Sequence, residues 1–127
     1  MSLDLNTGIG VSVLANSYKA GAEAASKAIE QLGKKPEVLI VFAAPKFEQQ
    51  KMLDGITSVT KNTPMIGGTT AGEISTYGLS VNSVVVMAIN SKDIEFYAGI
   101  GKNIAKNEVN AGKQLAKSVL KKADIKK

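Results

Sequence analysis

The 127-residue sequence has no cysteine, no histidine and no tryptophan, and all sixteen of its basic residues are lysine. Without Cys and His there are no disulfides, thiolate nucleophiles or imidazole bases, and the common zinc, copper and haem ligand sets are missing. We therefore expect no metal and no cofactor. Without Arg, the bidentate contacts by which most nucleic-acid readers recognise guanine and phosphate are absent. The net charge of +5 is accordingly read as a solvated face: Lys113, Lys117, Lys121, Lys122, Lys126 and Lys127 crowd the last helix and tail, where cations suit a helix C-terminus. No apolar run approaches the roughly 20 residues of a membrane helix, and no signal-peptide pattern opens the chain. The expectation is a cytoplasmic domain with neither nucleic-acid binding nor membrane insertion.

What is present fits one globular domain, 44% hydrophobic and 21% charged. We take residues 4–127 as that domain and treat Met1-Ser2-Leu3 as a candidate vector remnant. Thr7 to Ala15 reads as a first strand with glycines at its start. A helix capped by Asn16 or Ser17 follows, runs to Leu32 and stops at Gly33. Its inward stripe is Ala20, Ala24, Ala25, Ala28, Ile29 and Leu32. Val38 to Ala44 is apolar on both faces, as a central strand must be. Pro45 suits the first position of a second helix, whose Met52, Ile56 and Val59 share a face with Leu53 beside them. Met65 to Thr69 is expected as a strand next to Val38–Ala44, both central. Residues 75–82 look like a loop. Ser83 to Ile89 is a further strand, and Ile94 to Ile100 pairs back on it as a hairpin. A third helix spans about Asn107 to Ala123, with Leu115, Ala116, Val119 and Leu120 inward. The order is β-α-β-α-β-β-β-α: an α/β fold with a mixed, mainly parallel sheet and helices packed against it.

One internal echo has an offset of 91 residues. Gly8-Ile9-Gly10 matches Gly99-Ile100-Gly101, Asn16 matches Asn107, Ala20-Gly21 matches Ala111-Gly112, and Ala25 matches Ala116. Both segments read as a strand, a short link and an Asn-capped helix.

The candidate site is the run Gly67, Gly68, Thr69, Thr70, Ala71, Gly72 and Glu73. Small residues let a backbone approach a ligand and leave amides free to donate, and one carboxylate closes the run. Gly67 and Gly72 have Walker-A spacing, but Glu73-Ile74 stands where that motif needs Lys and a hydroxyl. Gly8-x-Gly10 and Gly99-x-Gly101 lack the third glycine of a dinucleotide fingerprint. Glu73 either caps the turn by accepting backbone N–H bonds or belongs to a ligand site. A third reading makes it the general base of a small hydrolase or transferase, although no partner acid, nucleophile or metal ligand is near it in sequence. Catalytic residues are therefore not assigned.

These residues resemble the N-terminal part of a FIST sensory domain. The likeness rests above all on Pro64 to Ile74 with its Ala71-Gly72-Glu73 block. It is joined by Gly8 to Ser12, Ala20-Gly21, Val38 to Pro45, Ser83 to Ile89 and Gly99 to Gly101. The resemblance implies an input domain of prokaryotic signal-transduction proteins rather than an enzyme, binding a small molecule such as an amino acid. Its implied partners are that ligand and a signalling output domain or the remaining part of the sensory region, and a homo-oligomer is among the expected states. On that reading the amides of Gly67–Gly72 and the hydroxyls of Thr69 and Thr70 take an anionic group and Glu73 takes an amine. An interaction module without a ligand is the other alternative.

Overall fold

The computed structural model describes residues 2–123, so Lys126 and Lys127 of the basic tail lie outside the described residues. The chain divides into two compact units, one ending at Glu95 and the other beginning at Phe96.

The first unit holds β1 (Leu5–Ser12), α1 (Ser17–Leu32), β2 (Val38–Ala43), α2 (Gln49–Thr60), β3 (Met65–Thr69), β4 (Glu73–Ser75), β5 (Gly78–Ser80) and β6 (Val84–Ser91). Four strands form one mixed sheet in the order β1-β6-β2-β3, and β4 and β5 form a separate hairpin. β1, β2 and β3 run in one direction. β6 lies between β1 and β2, antiparallel to both, and β2 pairs with β3 in parallel. The α/β class and mixed sheet are those expected from the sequence.

α1 forms where expected. Asn16 Oδ1 accepts from Lys19 N (2.9 Å), and Gly33 ends the helix at φ 70° while its N–H bonds to Ile29 O. Ala20, Ala24, Ala25 and Ala28 are wholly buried. Small residues on both sides set this close packing: an added Cβ at Gly10 would lie 1.9 Å from Ala24 O, and one at Gly8 2.1 Å from Ala28 O. The two helices approach each other the same way, because a Cβ at Gly21 would lie 2.1 Å from Met52 O and one at Gly55 2.0 Å from Tyr18 O. The core lies between these helices and the sheet, with Leu39, Val41, Ile56, Val84, Val86 and Ala88.

Four expectations are corrected. β3 is adjacent to β2 as expected, but it is an edge strand, not a central one. Its residues 66–69 are exposed, since three small residues supply little to bury. α2 starts at Gln49, not at Pro45. Residues 45–47 turn first, with Phe47 N bonded to Ala44 O (3.3 Å) and the Phe47 ring buried. The stretch 75–82 is not all loop, because Glu73–Ser75 and Gly78–Ser80 pair around a turn that Gly78 closes at φ 99°. Finally, Ile94 to Ile100 forms no strand of the sheet. β6 has β1 on one edge and β2 on the other, so neither edge is left for a hairpin partner.

The second unit contains α3 (Glu108–Ala123) and the segment before it. Asn107 Oδ1 caps the helix from Asn110 N (2.8 Å). Glycines again permit close approach: a Cβ at Gly101 would lie 2.0 Å from Ala111 O, and one at Gly99 2.4 Å from Ser118 Oγ. Ala111 is buried, whereas Leu115 and Leu120, expected inward, are exposed.

Ala28→Leu should cost about 1–3 kcal/mol by overpacking, because the sheet already meets the helix at backbone distance. A fall in the urea midpoint with an unchanged slope is the expected result.

Candidate functional site

The run Gly67–Glu73 divides at Thr70 into two places with different chemistry. The first part is the free edge of β3. Thr70 N donates to Ala43 O (3.0 Å) and Leu39 N donates to Pro64 O (2.9 Å). In a strand, successive residues turn their backbone groups to opposite edges. Pro64, Ile66, Gly68 and Thr70 therefore face β2, and the N–H and C=O groups of Met65, Gly67 and Thr69 face outward. Gly67 has φ 157°, and a side chain there would meet Val41 O at 1.7 Å. Only glycine fits.

Space remains between the strand edge and α2. A cavity of about 280 Å³ opens there, lined by Val41, Gln49, Met52, Leu53, Met65, Ile66, Gly67, Gly68 and Thr69. Its floor is apolar. Its polar groups are the outward amides, the Thr69 hydroxyl and the Gln49 side chain. Gln49 Nε2 donates to Phe47 O (2.9 Å) and Ala44 O (3.4 Å), which leaves Oε1 as its acceptor. Two larger open grooves lie elsewhere, one along the outer side of β1 and one beside the loops that follow α1 and α2. The second of these sits at the amino ends of β2 and β3, opposite the strand ends where α/β sheets gather ligands.

Thr70, Ala71, Gly72 and Glu73 do not line the 280 Å³ cavity. Glu73 is turned inward, with 1% of its surface exposed. Its Oε1 accepts from Thr70 Oγ1 (2.7 Å), and its Oε2 accepts from Ser83 Oγ (2.5 Å) and Ser83 N (3.2 Å). Ser80 Oγ lies 2.7 Å from Ser83 Oγ. The carboxylate thus ties the end of β3, the β4–β5 hairpin and the start of β6 together. Of the two roles left open for it, this is the capping one, with side-chain hydroxyls added to the backbone amide. The expectation that it faces an amine is corrected: both oxygens are spent on neighbours and it is sealed from solvent. Ser83 would be the matching nucleophile for a base, but it too is fully buried.

Burial alone would push the Glu73 pKa up, but hydrogen bonds from Ser83 and Thr70 outweigh it and hold the group below the ordinary glutamate value. A carboxylate so held is a weak base. Glu23 is also lowered, first by its hydrogen bond from the Ser12 hydroxyl and then by Lys27.

The sequence singled out Gly67, Gly68 and Thr69 of the cavity. It missed Met52 and Leu53, which were assigned to the core face of α2, and Gln49, which was not singled out. It also missed Ser80 and Ser83, small hydroxyl residues with no local pattern. Among the described residues no group of three acidic side chains could hold a metal ion, and no helix is long and apolar enough to cross a membrane.

Glu73→Gln should destabilise the fold by about 2 kcal/mol, since an amide nitrogen cannot accept what Ser83 or Thr70 donates. Because the folded pKa lies below the unfolded one, the contribution of Glu73 is full above the ordinary glutamate range. It is lost as pH falls through that range to the folded pKa. Chemical denaturation of wild type and Glu73→Gln across acid pH should therefore give curves that converge at low pH.

The family model of the FIST N domain matches residues 37–125. No curated protein matches the chain. Among solved structures, an empty FtsZ dimer from M. jannaschii is 21% identical with a TM-score of 0.46, covering 68% of this chain and 26% of that one. A point mutant of M. jannaschii FtsZ is 20% identical with a TM-score of 0.44, covering 70% and 28%. The chain thus spans little more than a quarter of either, and a likeness so partial bears on neither activity nor ligand.

Proposed function

The chain belongs to the FIST family, a family of sensory domains associated with signal transduction, and on that premise we propose that it senses a small apolar α-amino acid at the β3 edge. The observation that carries this reading is the meeting of outward backbone amides with the apolar 280 Å³ cavity. The amides of Gly67 and Thr69, with the Thr69 hydroxyl, take the carboxylate. Gln49 Oε1 takes the ammonium. The side chain lies against Val41, Met52, Leu53 and Met65. The volume suits a single residue and is at the small end for a nucleotide or a drug-sized ligand.

In this reading Glu73 has no direct contact with the ligand. It holds Thr70, and through it the end of β3, at a fixed distance from β6. Such a buried network positions a site whose own groups are backbone amides. The hydrolase alternative has less support, because Glu73 and Ser83 are both sealed and the Glu73 pKa is depressed. The output partner, cytoplasmic location and prokaryotic origin expected from the sequence belong with this proposal.

The test is a thermal-shift and calorimetric screen of the full chain with leucine, isoleucine, valine, methionine and phenylalanine. A rise in melting temperature is expected for at least one of them. Thr69→Phe fills the cavity from its exposed rim and suits a strand, so it should abolish that rise while leaving the unliganded melting temperature close to wild type. If no amino acid binds, or if Thr69→Phe binds as wild type does, the reading is wrong.

A further inference from the structure

The second unit repeats the construction of β1 and α1, and the repetition reveals what it lacks. In the first unit, Gly8 and Gly10 press on α1, and Gly99 and Gly101 press on α3 in the same way. Asn16 and Asn107 cap the two helices through the same bond to the residue three further on. Side chains of each helix also bond backbone groups of the glycine-bearing segment that the helix covers. On β1, Gln31 Oε1 accepts Ile9 N (2.5 Å) and Lys27 Nζ donates to Val11 O (3.1 Å). In the second unit, Gln114 Oε1 accepts Lys102 N (3.2 Å) and Lys122 Nζ donates to Ala98 O (2.7 Å).

The bonded groups of β1 belong to alternate residues, so its glycines face the opposite edge. On β1 that edge is the one paired with β6, Gly8 against Ala88 and Gly10 against Val86. Gly99 and Gly101 likewise lie between the bonded residues Ala98 and Lys102, and no strand of the described sheets includes them. A second vacancy accompanies the first. Gly21 lets α2 approach α1, with a Cβ there 2.1 Å from Met52 O, while its counterpart Gly112 has nothing within 4 Å. Ile100, Val109, Leu115 and Leu120 are exposed around these positions. The unit is also basic: residues 96–123 hold six lysines and one acidic residue.

We propose that the second unit is a docking surface for an acidic partner polypeptide that adds an antiparallel strand at Gly99–Gly101 and seats a helix on Gly112. The lysines select the partner's charge, and the glycines fix its geometry. The backbone at Gly99–Gly101 supplies donors and acceptors that an added extended chain would match. The empty notch at Gly112 admits a helix at backbone distance, as Gly21 admits α2. Exposed apolar side chains then fill the space between strand and helix. This surface shares no residue with those that line the β3 cavity, so failure of one proposal leaves the other standing.

The test uses the full chain and a synthetic peptide of residues 83–91, the β6 sequence, flanked by glutamates. Amide exchange at Gly99 and Gly101 is read by NMR, with Gly8 and Gly10 as paired references. Millimolar peptide should slow exchange at Gly99 and Gly101 by about tenfold or more, and high salt should weaken the effect. A peptide with proline at its centre should do nothing. Gly112→Leu should leave the melting temperature unchanged or raised, since nothing occupies the notch and leucine favours helix, while Gly21→Leu should lower it sharply. Three results would overturn the proposal: Gly99 and Gly101 amides as slow as Gly8 and Gly10 in the chain alone, no slowing with the acidic peptide, or Gly112→Leu as destabilising as Gly21→Leu.

Discussion

The close seating of α1 on β1 is the constraint from which the first unit follows. Two glycines on the strand and a run of alanines on the helix bring backbone against backbone. At that separation the helix can also reach past the strand, and Gln31 and Lys27 bond the outer edge of β1. One edge of the sheet is thereby closed without another strand. β6 takes the inner edge and β2 pairs with β6, which leaves β3 at the far side with its edge open. A larger residue at Gly8 or Gly10 would lift the helix and reopen the edge that its side chains now cover.

The cavity at the β3 edge is a consequence of that asymmetry. β3 sits where its outward amides are unsealed, and α2 is held beside it because Gly21 and Gly55 let the two helices interlock. The cavity lies between that edge and α2, lined from both. Glu73 closes the construction from the other end. Three donors, from two hydroxyls and one amide, surround its buried charge, and they come from β3's end and β6's beginning. A buried carboxylate satisfied in this way is costly to disturb and fixes its neighbours.

Much of this was legible in the residues. The alanine stripe of α1, its Asn cap and its Gly stop were readable because helix period, capping and C-terminal glycine are local chemistry. Val38–Ala44 was readable as an inner strand because it is apolar on both faces. Gly67, Gly68 and Thr69, singled out because small residues after a strand leave amides exposed, line the cavity at the β3 edge. The internal echo was visible as matched letters, although only the structure gives those letters matching contacts. Glu73 was legible as important but not as to its direction, since capping and ligand contact use the same oxygens.

What the sequence determined by itself was therefore α1 with its cap, stop and buried stripe, the inner strand at Val38–Ala43 and the family, all carried by residues near one another in the chain. What only the tertiary structure decided was the placement of β6. Ten residues separate Glu73 from Ser83, and more than seventy separate Ile9 from its partner Met87; pairing at such range leaves no local pattern. By entering between β1 and β2, β6 kept no edge of its own free for a hairpin with residues 94–100, made β3 an edge strand, and turned Glu73 from one of two open roles into an internal clasp. The physical reason is that a strand has two edges and each takes one neighbour. Which neighbours take them is settled by the packing of the whole unit, not by the strand's own residues.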